Sequence, residues 1–218
     1  MEIRSYINND VLPVLPNYPI KMIAGMFSSC TNSHIPVVEE NKLLGNISEE
    51  DMQAFDPDKR VSDYLYALDL FFVTEKTLWV DVLEAFARNN ANVMPVLDSD
   101  GNYLGFYDLV DIVGIFKDTP FLNESGGVLV IEKGKADYSF SEIAQIVESN
   151  DGRLLGAFIS DLENDRVQVT LKIASSGLNE ILQTFRRYNY QVISEAEDDR
   201  YIESLRQRSD YLRRYLDI

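Results

Sequence analysis

The sequence is poor in cysteine, histidine and basic residues. Its 218 residues include a single cysteine, Cys30, so an intramolecular disulfide is excluded. The single histidine, His34, excludes a three-histidine metal site, and the Cys and His spacings of zinc sites are absent. Lys and Arg number 20 against 36 Asp and Glu, which gives a formal net charge of −16. This charge argues against nucleic acid or an anionic membrane as a partner, because both attract clustered cations.

Long apolar runs, export signals and catalytic motifs are also missing. No stretch of the sequence approaches the roughly 18 uninterrupted apolar residues of a membrane-spanning helix. The N-terminus lacks the cationic start and apolar core of a signal peptide, so the expected location is the cytoplasm. Neither a nucleophile elbow nor a glycine-rich phosphate loop is present. The sequence therefore predicts a protein that is not an enzyme, with a hydrolase built from carboxylates alone as the alternative.

The chain contains an internal repeat. The aligned pairs of segments are 3–7 with 61–65, 11–38 with 70–97, and 43–51 with 103–111. The long pair aligns at a shift of 59 residues without a gap, and one residue is inserted before the last pair. Two copies with the same order of features indicate a duplication, and duplicated units usually pack on each other.

Each copy predicts a β-α-β-β-α unit. Apolar residues recur at helical spacing after Pro19 in the first copy and after Thr77, a predicted N-cap, in the second. Cys30 is predicted to be a small apolar residue on the first of these helices. A short apolar strand, a turn and a second strand follow, and a short helix then starts at Ser48 or Asp108.

Two features of the repeat resemble the CBS domain, named from cystathionine β-synthase. They are the Pro-Val pairs at 36–37 and 95–96 and the pattern Gly-x-x-Ser/Thr-x-x-Asp, complete in segment 45–51. The resemblance covers residues 1 to about 118 and implies a tandem pair, with unit 1 at 1–59 and unit 2 at 60–118. It also implies an adenosyl ligand of the AMP, ATP or S-adenosylmethionine class in a cleft between the units, and a homodimer.

The resemblance assigns ligand contacts to particular residues of the first copy. Ser48 and Asp51 would bind the ribose hydroxyls, and a carboxylate is suited to this because its charge strengthens the hydrogen bonds that it accepts. The strand from Ile35 to Val37 would supply backbone and apolar contacts to the base. The alternative is that Ser48 and Asp51 only cap the helix that starts there, as in a capping box.

The second copy departs from the pattern. Asp108 replaces the Ser or Thr, and Asp111 follows at the acidic position. Asp is as good an N-cap as Ser, so capping explains this pair without a ligand. Asp108 also adds negative charge in residues 1–118, which already hold 19 acidic and 8 basic side chains, a net charge of −11. We expect the second cleft to be empty, or to hold a weakly charged nucleoside or a phosphate bridged by a divalent metal.

The remainder of the chain predicts a different domain. Pro120 and the stretch 124–127 mark a linker at 119–125, and residues 126–196 follow the ferredoxin-like order β-α-β-β-α-β. This order resembles the ACT domain, which often binds amino acids. The Gly expected at the entrance of its first helix is missing from segment 133–140, which favours a packing or pairing role instead.

The last predicted element is a helix over residues 197–218. Its apolar stripe consists of Tyr201, Leu205, Leu212 and Leu216. Such a stripe favours packing on the parent domain, with a helix–helix dimer contact as the alternative.

The fold class predicted for the whole chain is α+β: a CBS pair, an ACT-like domain and a C-terminal helix. The predicted function is regulatory. Binding of the adenosyl ligand would favour one arrangement of the two CBS units, and the ACT-like domain would report it to an unidentified protein target. The alternative is a constitutive dimerisation scaffold whose ligand clefts have degenerated.

Overall fold

The computed structural model describes residues 3–10, 13–175 and 177–193. The chain divides into two compact units, the first ending at Phe116 and the second beginning at Lys117. None of the helices in the described ranges is both long and apolar enough to cross a membrane. The predicted helix at 197–218 lies outside the described residues.

The first unit contains both copies of the repeat. The first copy consists of a 3₁₀ turn Arg4–Tyr6, α1 (Ile20–Ser29), β1 (His34–Glu39), β2 (Lys42–Ser48) and α2 (Glu49–Ala54). The second consists of a 3₁₀ segment Val61–Ala67, β3 (Val73–Thr74), α3 (Trp79–Arg88), β4 (Val93–Leu97), β5 (Tyr103–Asp108) and α4 (Leu109–Lys117). The predicted order β-α-β-β-α is confirmed in the second copy. In the first copy the order α-β-β-α is confirmed, and a single bridge at Val14 stands where the first strand was predicted.

The pairing of the strands reproduces the shift of 59 residues. In the first copy Val14 forms a parallel bridge with Val37, and in the second Val73 pairs in parallel with Val96. β1 pairs with β2 and β4 with β5, both antiparallel. Each hairpin carries a register shift at the matching place, after Val37 and after Val96. The two copies therefore share their irregularities as well as their elements.

The segment that begins each copy, its lead-in (residues 3–8 and 61–69), packs on the other copy. Asn8 bridges Phe106 in β5, so the N-terminal segment joins the second copy, and Ile3 is buried in that copy's core. The segment ahead of β3 joins the first copy in turn: Asp69 bridges Asn46 in β2, and Val61 lies in the first core. Each copy thus completes its core with residues from the other half of the repeat.

A hydrogen-bonded pair of equivalent residues joins the copies. Ser33 and Asn92 lie 59 residues apart, which is the shift of the repeat. The Ser33 N–H donates to Asn92 Oδ1 at 2.8 Å, and the Asn92 N–H donates to Ser33 Oγ at 2.9 Å. This reciprocal exchange places equivalent positions face to face, as expected when two similar halves pack around a local twofold axis.

Two details of the helices differ from the predictions. Thr77 is not an N-cap: α3 begins one residue later, Leu78 takes the cap position, and Thr77 Oγ1 instead accepts a hydrogen bond from the Thr74 N–H. Cys30 does not lie within α1 but at its C-cap, where it is half-buried. In both places a local turn decides the boundary, and apolar periodicity does not report such turns.

The second unit has the predicted ferredoxin-like topology. Its elements are α5 (Pro120–Asn123), β6 (Gly127–Gly134), α6 (Phe140–Glu148), β7 (Arg153–Glu163), β8 (Arg166–Ala174), α7 (Leu178–Arg187) and β9 (Gln191–Val192). The strands form one antiparallel sheet in the order β7-β8-β6-β9. The predicted linker holds a short helix, α5, and the Phe121 ring lies 5.7 Å from the Phe158 ring of β7.

Strict alternation along β8 places one face of this sheet in a core. Val167, Val169, Leu171 and Ile173 are each at most 1% exposed. Ile143 of α6 and Phe185 of α7 pack against them in the same cluster. The alternating pattern thus predicted the buried face of the strand correctly.

Candidate ligand-binding cavity

The first unit contains a cavity of about 410 Å³ where the two copies meet. It is lined by Ser33, His34, Ser48, Glu49, Glu50, Asp51, Asp69, Asn89 and Asn90. The first copy supplies the start of β1 and the junction of β2 with α2, and the second supplies the residues after α3. A ligand in this cavity would contact both copies, and the volume falls within the usual range for small-molecule sites.

Ser48 and Asp51 are positioned by the start of α2. Ser48 is the N-cap, and its Oγ accepts a hydrogen bond from the Asp51 N–H at 3.0 Å. The predicted capping is therefore confirmed. The Ser48 hydroxyl proton takes no part in this bond, so capping and donation to a ligand are compatible.

His34 is the most deeply buried polar side chain in the lining, at 7% exposure. Its Nδ1 lies 2.9 Å from Ser33 Oγ, its Nε2 lies 3.6 Å from Asp69 Oδ2, and its ring meets the Phe71 ring edge-on. Burial lowers the pKa of His34, and the nearby carboxylates of Asp69 and Asp51 only partly oppose that shift. The neutral ring is therefore favoured at neutral pH.

Negative charge dominates the lining. Four of its nine residues, Glu49, Glu50, Asp51 and Asp69, carry carboxylates, and none of the nine is a Lys or Arg. Within the described ranges no three His, Cys, Asp or Glu side chains come together to hold a metal ion. Three of the carboxylates come from the first turn of α2, and the fourth, from Asp69, comes from the segment ahead of β3.

The other predicted contact residues lie elsewhere. Ile35 and Val37 of β1 are fully buried in the core of the first copy and do not line the cavity. Asp108 Oδ1 accepts a hydrogen bond from the Val110 N–H at 2.7 Å, as a cap of α4 does. Asp111 lies exposed on that helix and, like Asp108, is not part of the lining.

A second cavity of about 420 Å³ lies beside α3 in the same unit. It is lined by Ser33, Leu83, Phe86, Ala87, Asn90, Ala91, Asn92 and Leu109. None of these side chains is charged, and neither Asp108 nor Asp111 is among them. Asp108 immediately precedes Leu109, but its carboxylate is engaged with the helix backbone.

Sequence reasoning missed Asp69, His34 and the asparagines of the cavity. Asp69 precedes β3 and reaches the first copy because the lead-in segments are exchanged; Asn46 Nδ2 donates to the Asp69 and Phe71 carbonyl oxygens, each at 3.0 Å. No local pattern predicts such a crossing. Asn90 offered one usable signal, since Asn directly after a helix often adopts positive φ, and the φ of Asn90 is 47°.

The family model of the CBS domain, built from the sequences of its members, matches residues 3–56 and 61–118, about half of the chain. The chain belongs to the CBS domain family. Its first unit is a tandem CBS pair, and such pairs are typically regulatory and commonly bind adenosyl ligands such as AMP or ATP.

Known relatives are similar at low identity. Inosine-5'-monophosphate dehydrogenase of Thermoplasma acidophilum is 22% identical over 187 residues, which are 79% of this chain and 37% of that enzyme. The chain spans less than half the length of the curated relatives it matches, 37%, 46% and 28% for three of them.

Solved structures of similar fold include two CBS proteins. A CBS domain pair/ACT domain protein from Thermotoga maritima is 18% identical, with a TM-score of 0.48, and covers 53% of this chain and 96% of that one. CBSX2 in complex with AMP is 16% identical, with a TM-score of 0.43, and covers 53% of this chain and 95% of that one.

The second unit carries a polar cavity of about 580 Å³ beside the predicted ACT-like loop. It is lined by Lys133, Gly134, Asp137, Arg166 and Asn189. Lys133 Nζ lies 2.7 Å from Glu142 Oε2 and 4.2 Å from the centre of the Tyr190 ring. The hydrogen bond from Lys133 lowers the pKa of Glu142. Both cations of the lining are already paired, since Arg166 bonds to Glu132.

Proposed function

We propose that the chain is a regulatory, non-catalytic protein that binds an adenosyl ligand in the cavity of its CBS pair. One observation carries the proposal: Ser48 and Asp51, the two residues of the family motif, line the same cavity. The Asp51 carboxylate would accept hydrogen bonds from the ribose diol, and Ser48 would donate its hydroxyl proton while capping α2.

The position of the cavity supports a mechanism by population shift. Its lining comes from both copies, so a bound ligand would stabilise the arrangement of copies that it contacts best. We propose that the ACT-like domain passes this change to a protein target, and that the chain works as a homodimer. Because Lys133 and Arg166 are already paired, a packing or pairing role suits the second unit better than amino-acid binding.

The scaffold alternative rests on the charge of the cavity. A free nucleotide phosphate would lie beside several carboxylates with no Lys or Arg in the lining to neutralise it. At an effective dielectric near 20, two unit charges about 6 Å apart repel by roughly 3 kcal/mol. A pair that has lost every ligand would leave only an interaction role for the chain.

Thermal unfolding with and without ligand tests the proposal. Adenosine, AMP, ATP and S-adenosylmethionine are each added to the full chain. A ligand at about 100 times its Kd stabilises the folded state by roughly 2.7 kcal/mol, which raises the Tm. The variant Asp51→Asn should lose most of this rise, because it removes the proposed acceptor of the ribose.

Asp111→Asn is the matched control for Asp51→Asn. Both residues lie in the first turn of a short helix that follows a strand, so each change should cost a similar 0.3–1 kcal/mol or so of helix stability. Only Asp51→Asn should also reduce the ligand-induced rise. If none of the four compounds raises the Tm of the wild type, the sensor is excluded and the scaffold remains.

A further inference from the structure

The walls of the CBS cavity define the charge of what it can bind. Glu49, Glu50 and Asp51 all come from the first turn of α2, and Asp69 faces them from the segment ahead of β3. The remaining five lining residues are Ser33, His34, Ser48, Asn89 and Asn90. These supply hydroxyl, imidazole and amide groups, so no permanent cation offsets the four carboxylates.

The start of α2 does not offer a site for phosphate. A helix N-terminus attracts anions through its partial positive charge, but three carboxylates already occupy the first turn. The Ser48 side chain satisfies the Asp51 N–H as well. An incoming phosphate would therefore meet charge of its own sign where helix geometry would otherwise favour it.

His34 does not reverse this balance. It is buried between Ser33, Phe71 and Asp69, and desolvation lowers its pKa despite the two carboxylates nearby. A neutral imidazole contributes hydrogen-bonding capacity and no positive charge.

The spread of the carboxylates favours an extended ligand over a bare ion. No three acidic, His or Cys side chains among the described residues converge on one point. A cavity of about 410 Å³ with its polar groups distributed over the wall suits an organic molecule that carries its own positive charge and several hydrogen-bond donors.

We propose that this cavity selects an adenosyl ligand of net positive charge, of the sulfonium class, over free adenosine phosphates. The inference rests on the proposed function and adds to it the sign of the charge on the ligand. Glu49, Glu50 and Asp69 are exposed, so water screens part of their charge. Complementary charge still discriminates between ligands that share the adenosyl group, because like charges brought together are penalised.

Calorimetric titration of the full chain with a charge series tests the inference. S-adenosylmethionine and S-adenosylhomocysteine share one skeleton and differ by the methyl group and its positive charge, and AMP carries negative charge. We expect affinity to fall in that order, by about tenfold or more between the first and the last. Raising NaCl from about 0.05 to 0.5 M should weaken the binding of S-adenosylmethionine and strengthen the binding of AMP, because salt screens attraction and repulsion alike.

Charge variants in the lining give the second readout. Glu49→Gln and Glu50→Gln should each lower the affinity for S-adenosylmethionine and raise the affinity for AMP, by about threefold to tenfold. Asp81→Asn is the control, because Asp81 is an exposed acid in the first turn of α3 outside the lining. It should leave both affinities unchanged.

The outcomes separate the two proposals. If AMP or ATP binds more tightly than S-adenosylmethionine and Asp51→Asn abolishes that binding, the site is adenosyl-specific and the charge inference is wrong. If S-adenosylmethionine binds equally well to the wild type and to both Gln variants, the inference is also overturned. If no adenosyl compound binds, both proposals fail together.

Discussion

His34 illustrates how one residue links burial to pH. It is the only histidine of the chain, it lies in the cavity wall, and its pKa is lowered below the ordinary 6.5 chiefly by desolvation. Asp69 and Asp51 act in the opposite direction and do not outweigh burial. Between the folded and unfolded pKa values, His34 is therefore protonated in the unfolded chain and neutral in the folded one.

This difference predicts that stability falls as the pH drops below about 6.5. Between the folded pKa and 6.5 the unfolded state binds more protons, so acidification favours unfolding; below the folded pKa the effect levels off. Urea unfolding between about pH 8 and pH 5.5 should show this loss in the wild type and little of it in His34→Gln.

A direct measurement accompanies the stability data. Because the chain has one histidine, its imidazole signal in an NMR titration needs no assignment. The folded protein should titrate at lower pH than the protein in concentrated urea. Equal or reversed titration points would contradict the prediction, whatever the stability of the variant.

Residue-scale roles were predictable only where they are local. The cap at Ser48 was foreseen because Ser and Asp three residues apart define it within one helical turn. The roles of His34 and Asp69 were not, because their proximity depends on a segment crossing from one copy to the other. Neither residue type nor spacing encodes that crossing.

At the scale of elements, a glycine in each hairpin makes room for the exchanged segment. Gly45 and Gly105 occupy equivalent places in β2 and β5, with φ of 153° and 141°. Each lies opposite the register shift in its hairpin, where Gly45 pairs with Val37 and Gly105 with Val96. A Cβ on Gly105 would lie 2.6 Å from the Asn8 carbonyl oxygen. The backbone of the lead-in thus approaches too closely for any side chain.

Gly105→Ala should therefore destabilise the first unit by about 2–3 kcal/mol, through backbone strain and displacement of the Asn8 bridge. Gly114→Ala is the control: a Cβ at Gly114 in α4 meets nothing within 4 Å, so it should stabilise by up to about 1 kcal/mol. Urea midpoints of both variants check this. A Gly105→Ala protein as stable as the wild type would show that the approach is not tight.

The elements themselves followed from periodicity, and their ends did not. β8 and its buried face were predicted because four apolar residues alternate strictly, and burial on one face of a sheet produces that pattern. The start of α3 was misplaced because Thr77 bonds to Thr74 in the preceding turn. A Thr before a helix satisfies either turn equally well, so the choice rests on the chain path.

For the molecule as a whole, the repeat is the feature of the sequence that best predicts the fold. It does not predict that the lead-in segments are exchanged between the copies. Self-comparison indicated two copies meeting at residue 59, and the order α-β-β-α holds in both. Yet the first core contains Val61 and Tyr64, and the second contains Ile3. The copies are sequential in the chain and interlocked in space, which a linear alignment does not reveal.

Interlocked cores predict that half of the pair will not fold alone. A fragment of residues 1–59 lacks Val61, Tyr64 and Leu68, which complete its core, and exposes Ile3, which belongs to the other. A core that small is only marginally stable even when complete, so the loss of these residues should prevent folding. A fragment of residues 1–118 keeps both cores and the Ser33–Asn92 bonds, so it should unfold in one cooperative transition. Circular dichroism and urea titration of both fragments test this; a cooperative transition in residues 1–59 alone would mean that the lead-in exchange is dispensable.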